Sequence, residues 1–241
     1  MSRRPRLLPL IVTVLALAVI AVAADLAART WATARVAQEV RREYGLSEDP
    51  RITVAGGSFL WQAARGRFED VTVTVARVST GSVDLRDVRI RVPEVDVPRS
   101  VLTGGAGTVD VSGGTLRARV PYDQLADDLS VGGLDVALAR AGDAVRASTG
   151  VGVFGLRVDL AVTGRPVLDG DSVRLEPLEA ELAGARVPLA RAEQLLEAAG
   201  FGGWSFPLRG IPAQVRLETL QVADSGLVVT GSLTPGAHEV G

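Results

Sequence analysis

The chain has 241 residues, of which 47% are hydrophobic and 22% charged. That balance suits a packed domain and excludes a disordered tail. It has no Cys and no Lys, and its one His, His238, lies near the C-terminus. Disulfide scaffolds, thiol and Schiff-base catalysis, Cys-ligated zinc and imidazole triads are thereby removed. The formal net charge is −2, and three of the positive charges precede the first apolar run, so the body carries −5. A mildly acidic body is a poor electrostatic match for nucleic acid.

Leu7 to Ala24 contains no charge, follows Arg3, Arg4 and Arg6, and ends at Asp25. About 20 apolar residues cross a bilayer, so this run sits at the short end of a span. The positive-inside bias places the N-terminus in the cytoplasm and the body outside the cell membrane. Residues 1–24 therefore read as a signal-anchor or as a signal peptide, with Ala21-Val22-Ala23 resembling a cleavage site. No helix breaker lies between Asp25 and Tyr44, which favours the anchor. Residues 25–241 read as one domain, since no polar or Pro-rich linker interrupts them.

Residues 25–44 form an Ala-rich helical pattern with Val36, Val40 and Tyr44 every four residues and Gly45 as its stop. Beyond it the period changes to two. Val71, Val73 and Val75 alternate with Thr72 and Thr74, and Val88, Ile90 and Val92 with Arg89 and Arg91. Leu156, Val158, Leu160 and Val162 repeat the pattern, as do Val215 and Leu217. Such strands have one buried and one wetted face and pair antiparallel. Helical patterns return only at Tyr122–Leu129 and Pro188–Ala199, each just after a Val-Pro pair. That recurrence suggests a weak duplication, with units near 66–145 and 150–233. About ten strands and three helices give an α+β fold with more apolar sheet than the helices cover. A long antiparallel sheet curved around the N-terminal helix meets that need. It also offers an apolar groove to acyl chains, though a filled core accounts for the pattern equally well.

Gly150-Val151-Gly152-Val153-Phe154-Gly155 has nucleotide-fingerprint spacing, but a strand pattern follows it where a phosphate site needs a helix. The acidic pairs Glu48-Asp49, Glu69-Asp70 and Asp127-Asp128 read as solvated surface charge. Neither a metal site nor a cofactor site is indicated, and no catalytic residue is assigned. The aromatic residues are more informative. Phe59, Trp61 and Phe68 share one window with Leu60, beside Gly56-Gly57. Phe201, Trp204 and Phe206 share another, beside Gly202-Gly203. Both windows read either as core plugs or as loops meeting lipid. Arg65, Arg67 and Arg209 flank them and could fork onto a lipid phosphate.

Gly56, Phe59, Leu60, Gln62, Gly66 and Val71 fit a G-x-x-F-L-x-Q-x-x-x-G-x-x-x-x-V block. Phe206-Pro207-Leu208, Ile211-Pro212 and Gly226-Leu227-Val228-Val229 fit a second element. In both, the sequence resembles the actinobacterial LmeA-like phospholipid-binding family. The resemblance covers most of residues 25–233 and implies an envelope protein that binds phospholipid, similar in architecture to tubular lipid-binding folds. It implies the cytoplasmic membrane and phospholipid as partners, and a role in envelope glycolipid assembly. The alternative is a scaffold for an envelope protein partner such as a membrane enzyme.

Overall fold

In the computed structural model, residues 7–79, 84–129, 135–153, 156–170, 172–198, 205–207 and 214–240 are described. The apolar run and the Ala-rich segment fuse into one helix, α1 (Leu7–Glu43), of 37 residues. At 1.5 Å per residue it is about 55 Å long. Its apolar part is long enough to cross a membrane and is not buried against the body. The part that packs is a stripe of small residues, Ala28, Ala32 and Ala37, which permits close backbone approach. Val36 and Tyr44 of the expected apolar stripe are instead exposed. Gly45 ends the helix with a positive φ of 59°.

The next elements are β1 (Arg51–Val54), α2 (Phe59–Arg65), β2 (Arg67–Ser79), β3 (Asp84–Asp96), α3 (Arg99–Leu102) and β4 (Gly107–Val111). Then come β5 (Gly114–Pro121), α4 (Tyr122–Leu129), β6 (Val136–Ala141), β7 (Ala144–Val153), β8 (Leu156–Asp169) and β9 (Ser172–Leu182). The chain closes with β10 (Ala185–Val187), α5 (Leu189–Ala198), β11 (Ser205–Pro207), β12 (Val215–Ala223), β13 (Gly226–Leu233) and β14 (Gly236–Val240). The fold is α+β.

The strands form two antiparallel sheets, and neither closes into a barrel. The first has the order β1-β2-β3-β5-β13-β12, with β4 on β3 and β14 on β4. The second has the order β10-β9-β8-β7-β6, with β11 on β9. His238 thus lies in a paired strand, opposite Val109. The Gly150–Val153 stretch ends β7, which pairs antiparallel with β8.

Each sheet buries its apolar face in a shared core. Val120, Leu227 and Val229 from the first sheet meet Val145, Leu160, Val162 and Val173 from the second. Helices α4 and α5 add Tyr122, Leu125, Ala192 and Leu196. Sheet on sheet therefore answers most of the burial problem that curvature around α1 was expected to answer. Helix α1 covers only the β1 end, where Ala28 and Ala32 pack beside Val54, Phe59 and Phe68.

Candidate functional site

Two surfaces follow from this arrangement. The first lies where α1 leaves the body. Ser58 caps α2, its hydroxyl accepting from Trp61 N–H at 3.2 Å. Gly66 ends that helix with φ 71°, and a Cβ there would sit 2.6 Å from the Val97 carbonyl. Asp25, the first charge after the apolar run, reaches the same helix start. It accepts from Leu60 N–H at 2.8 Å and from the Ser58 hydroxyl at 2.7 Å. These bonds, the Leu60 N–H first, hold its carboxyl below the usual carboxylate range. Arg29 donates to Gly57 C=O at 2.8 Å, while its Nε is buried without a partner. The short helix is thereby fixed beside α1 at the level where the span ends.

The first aromatic window is divided by this helix. Phe59 and Phe68 are 8% and 7% exposed, with ring centroids 5.6 Å apart, and they fill the small core under α1. Leu60 and Trp61 are 45% and 64% exposed. Arg65 lies over the Trp61 ring at 5.9 Å. Arg67 is engaged by Asp96 at 2.8 Å and faces Glu94 at 3.7 Å. Phe59, Leu60 and Trp61 thus lie on a capped helix, with Phe59 in a core and Leu60 and Trp61 exposed. Phe201, Trp204 and Arg209 lie outside the described residues, and Phe206 belongs to β11. Gln62, which the sequence places in the family block without a role, is 5% exposed and ties α2 to the end of β1 and the start of β2. Its Nε2 donates to Ala55 C=O at 3.0 Å and its Oε1 accepts from Glu69 N–H at 2.9 Å.

The second surface is the apolar face of the first sheet. Register places Ile52, Val73, Ile90, Leu116, Gly231 and Leu217 in one row across six strands. The five large side chains of this row are only half-buried. Among the described residues, Leu46 is the only apolar side chain from outside the strands packed on the adjoining Val75, Val88 and Ala118 cluster. Enclosed space is scarce. A hollow of about 10 Å³ lies among Val136, Thr149, Leu160 and Leu196. A surface depression of about 280 Å³ is rimmed by Arg174, Glu176 and Glu193. Ligand pockets hold about 300–1,000 Å³, so the first hollow is far too small for an acyl chain, and the second has a charged rim. The row offers a continuous line of partly covered apolar side chains, with Leu217 at its end also packing on the shared core.

Among the described residues no cluster of three metal-ligating side chains occurs. Asp70 of the Glu69-Asp70 pair forms a bidentate contact with Arg91, which holds its carboxyl below the usual range. No curated protein and no solved structure matches the chain. A family model described as LmeA-like phospholipid-binding matches residues 23–232, from the end of the apolar run into β13. The matched block at residues 56–71 is the capped α2 with its Gln62 bridges and its Gly66 stop. With most of its length matched, the chain belongs to the LmeA-like phospholipid-binding family.

Proposed function

We propose that this is a noncatalytic phospholipid-binding protein held at the outer face of the cytoplasmic membrane by α1. Acyl chains lie against the row from Ile52 to Leu217, and Leu60 and Trp61 enter the membrane interface beside the span. The half-covered row carries the reading, because it is a continuous line of apolar side chains that the fold covers only in part. Each methylene covered there contributes about 0.8 kcal/mol, so about ten methylenes gain about 8 kcal/mol before ordering costs. Tryptophan suits the headgroup level because its ring is apolar and its N–H is wet. The family resemblance extends this reading to a role in supporting envelope glycolipid assembly.

The test is to purify residues 25–241 without detergent, extract with organic solvent and identify lipid by mass spectrometry. Phospholipid at near-stoichiometric loading is expected, and Leu116→Gln lowers it by placing an amide in the row. Lipid-free protein that takes up no phospholipid from vesicles overturns the proposal.

A further inference from the structure

The opposite, polar face of the first sheet is crowded with arginine. Pairing registers place Arg77, Arg86 and Arg119 in one row across β2, β3 and β5. The next row reads Arg51, Thr74, Arg89, Arg117, Thr230 and Thr219. The third contains Arg91, and Arg216 at its far end. Eight positive charges on one face stand out in a chain whose net charge is −2.

The arginines of this face differ in their partners. Asp70 and Asp87 take left-handed backbone conformations, with φ 49° and 51°, Asp87 where the β3–β5 register shifts and Asp70 at a gap in the otherwise continuous β2–β3 pairing. A non-glycine residue in that region is strained, and aspartate tolerates it better than most. Each aspartate faces one arginine: Asp70 pairs with Arg91, and Asp87 lies 2.6 Å from Arg119. Asp123 approaches Arg86 at 3.7 Å. Between these neutralised positions lie Arg89 and Arg117, both exposed and directly opposite one another in register. Among the described residues, neither has a carboxylate within ion-pair distance. Like charges directly opposite across strands are destabilising, so an anion between them is favoured.

We infer that Arg89 and Arg117 form a binding site for a phosphate group, with the Thr74 and Thr230 hydroxyls flanking it in the same row. Neighbouring strands lie about 4.8 Å apart, which brings the two guanidinium stems side by side. Each guanidinium presents a planar fork of donors, and a tetrahedral phosphate offers oxygens to both at once. The hydroxyls supply further donors on either side. The phosphate is either that of a phospholipid headgroup or free inorganic phosphate. The site lies on the face opposite the apolar row, so it stands or falls independently of acyl-chain binding.

The experiment uses the full chain in neutral nanodiscs, with Arg89→Gln/Arg117→Gln and the single Arg117→Gln beside wild type. Melting temperature is followed against inorganic phosphate, with sodium chloride at matched ionic strength as reference. A second titration uses glycerophosphoglycerol, the deacylated headgroup of phosphatidylglycerol, so that the apolar row takes no part. Arg77→Gln/Arg216→Gln removes the same charge from the same face and serves as control. Wild type and control are expected to be stabilised by at least one ligand, with binding about tenfold weaker in Arg117→Gln and lost in the double variant. Without ligand, the double variant melts at or above wild type, because the like-charge pair is gone. Tighter binding of glycerophosphoglycerol identifies the headgroup as the source, and tighter binding of inorganic phosphate identifies the free ion. Equal responses of wild type and Arg89→Gln/Arg117→Gln, or an equal loss in the control variant, overturn the site. So does a wild type that responds to neither ligand.

Discussion

Replacing Gln62 with leucine tests whether the α2 attachment is held by hydrogen bonds or by apolar packing alone. Leucine keeps much of the volume but removes the donor to Ala55 C=O and the acceptor for Glu69 N–H. Each bond contributes about 1 kcal/mol net, and stranding a buried partner costs about 1–3 kcal/mol more. Ala55 and Glu69 are themselves exposed residues, so water recovers part of that cost. The expected loss is therefore about 2–3 kcal/mol in total. For a domain of this size about 2–4 °C is lost per kcal/mol, giving a fall of about 5–10 °C. Circular dichroism melts of the full chain in micelles measure it, with Trp61 emission reporting whether α2 detaches first. A shift under about 1 °C would refute the bridging role, leaving Phe59 and Phe68 to hold the helix.

Two further predictions concern the core and the helix cap. Leu160 is 1% exposed in the shared core, so Leu160→Ala should cost about 2–5 kcal/mol in urea unfolding. A loss below about 1 kcal/mol would mean that the two sheets reclose over the gap. The Asp25 carboxyl sits below its ordinary value of 3.8 because of the Leu60 N–H and then the Ser58 hydroxyl. Its stabilising contribution is therefore complete above about pH 4 and is lost as pH falls through the depressed folded value. Asp25→Asn should abolish this acid limb in Trp61 emission, read with Trp31 and Trp204 replaced by Phe. An unchanged acid limb places the titration elsewhere.

The sequence carries the elements more fully than the site. The Val-Pro pairs at Val120-Pro121 and Val187-Pro188 announce α4 and α5, whose bounds agree with the expected helices to within a residue at each end. Helix α2 is less legible. Phe59–Arg65 is only seven residues long, and its aromatics resemble a loop anchor as much as a helix. The available signals are local: Ser58 as a cap and Gly66 where a left-handed stop is required. Gln62 is marked only by its place in the family block, which does not say that it is buried, since a buried glutamine and a surface one look alike in a heptapeptide. The division between Phe59, which is buried, and Trp61, which is exposed, depends on which side of α2 faces α1.

The sequence by itself determines the apolar span, its abrupt end at Asp25, the strands with one apolar face, and the family. These follow from composition and from the backbone periods of 2 and 3.6, which any short window expresses. Only the tertiary structure decides which apolar side chains are covered and which arginines are neutralised. Val228 and Arg119 are in register although β5 and β13 are far apart in the chain. Asp87 reaches Arg119 because a register shift between β3 and β5 brings it there. Burial and charge pairing are sums over such distant neighbours, so the half-covered row and the bare Arg89–Arg117 pair emerge only when the strands assemble.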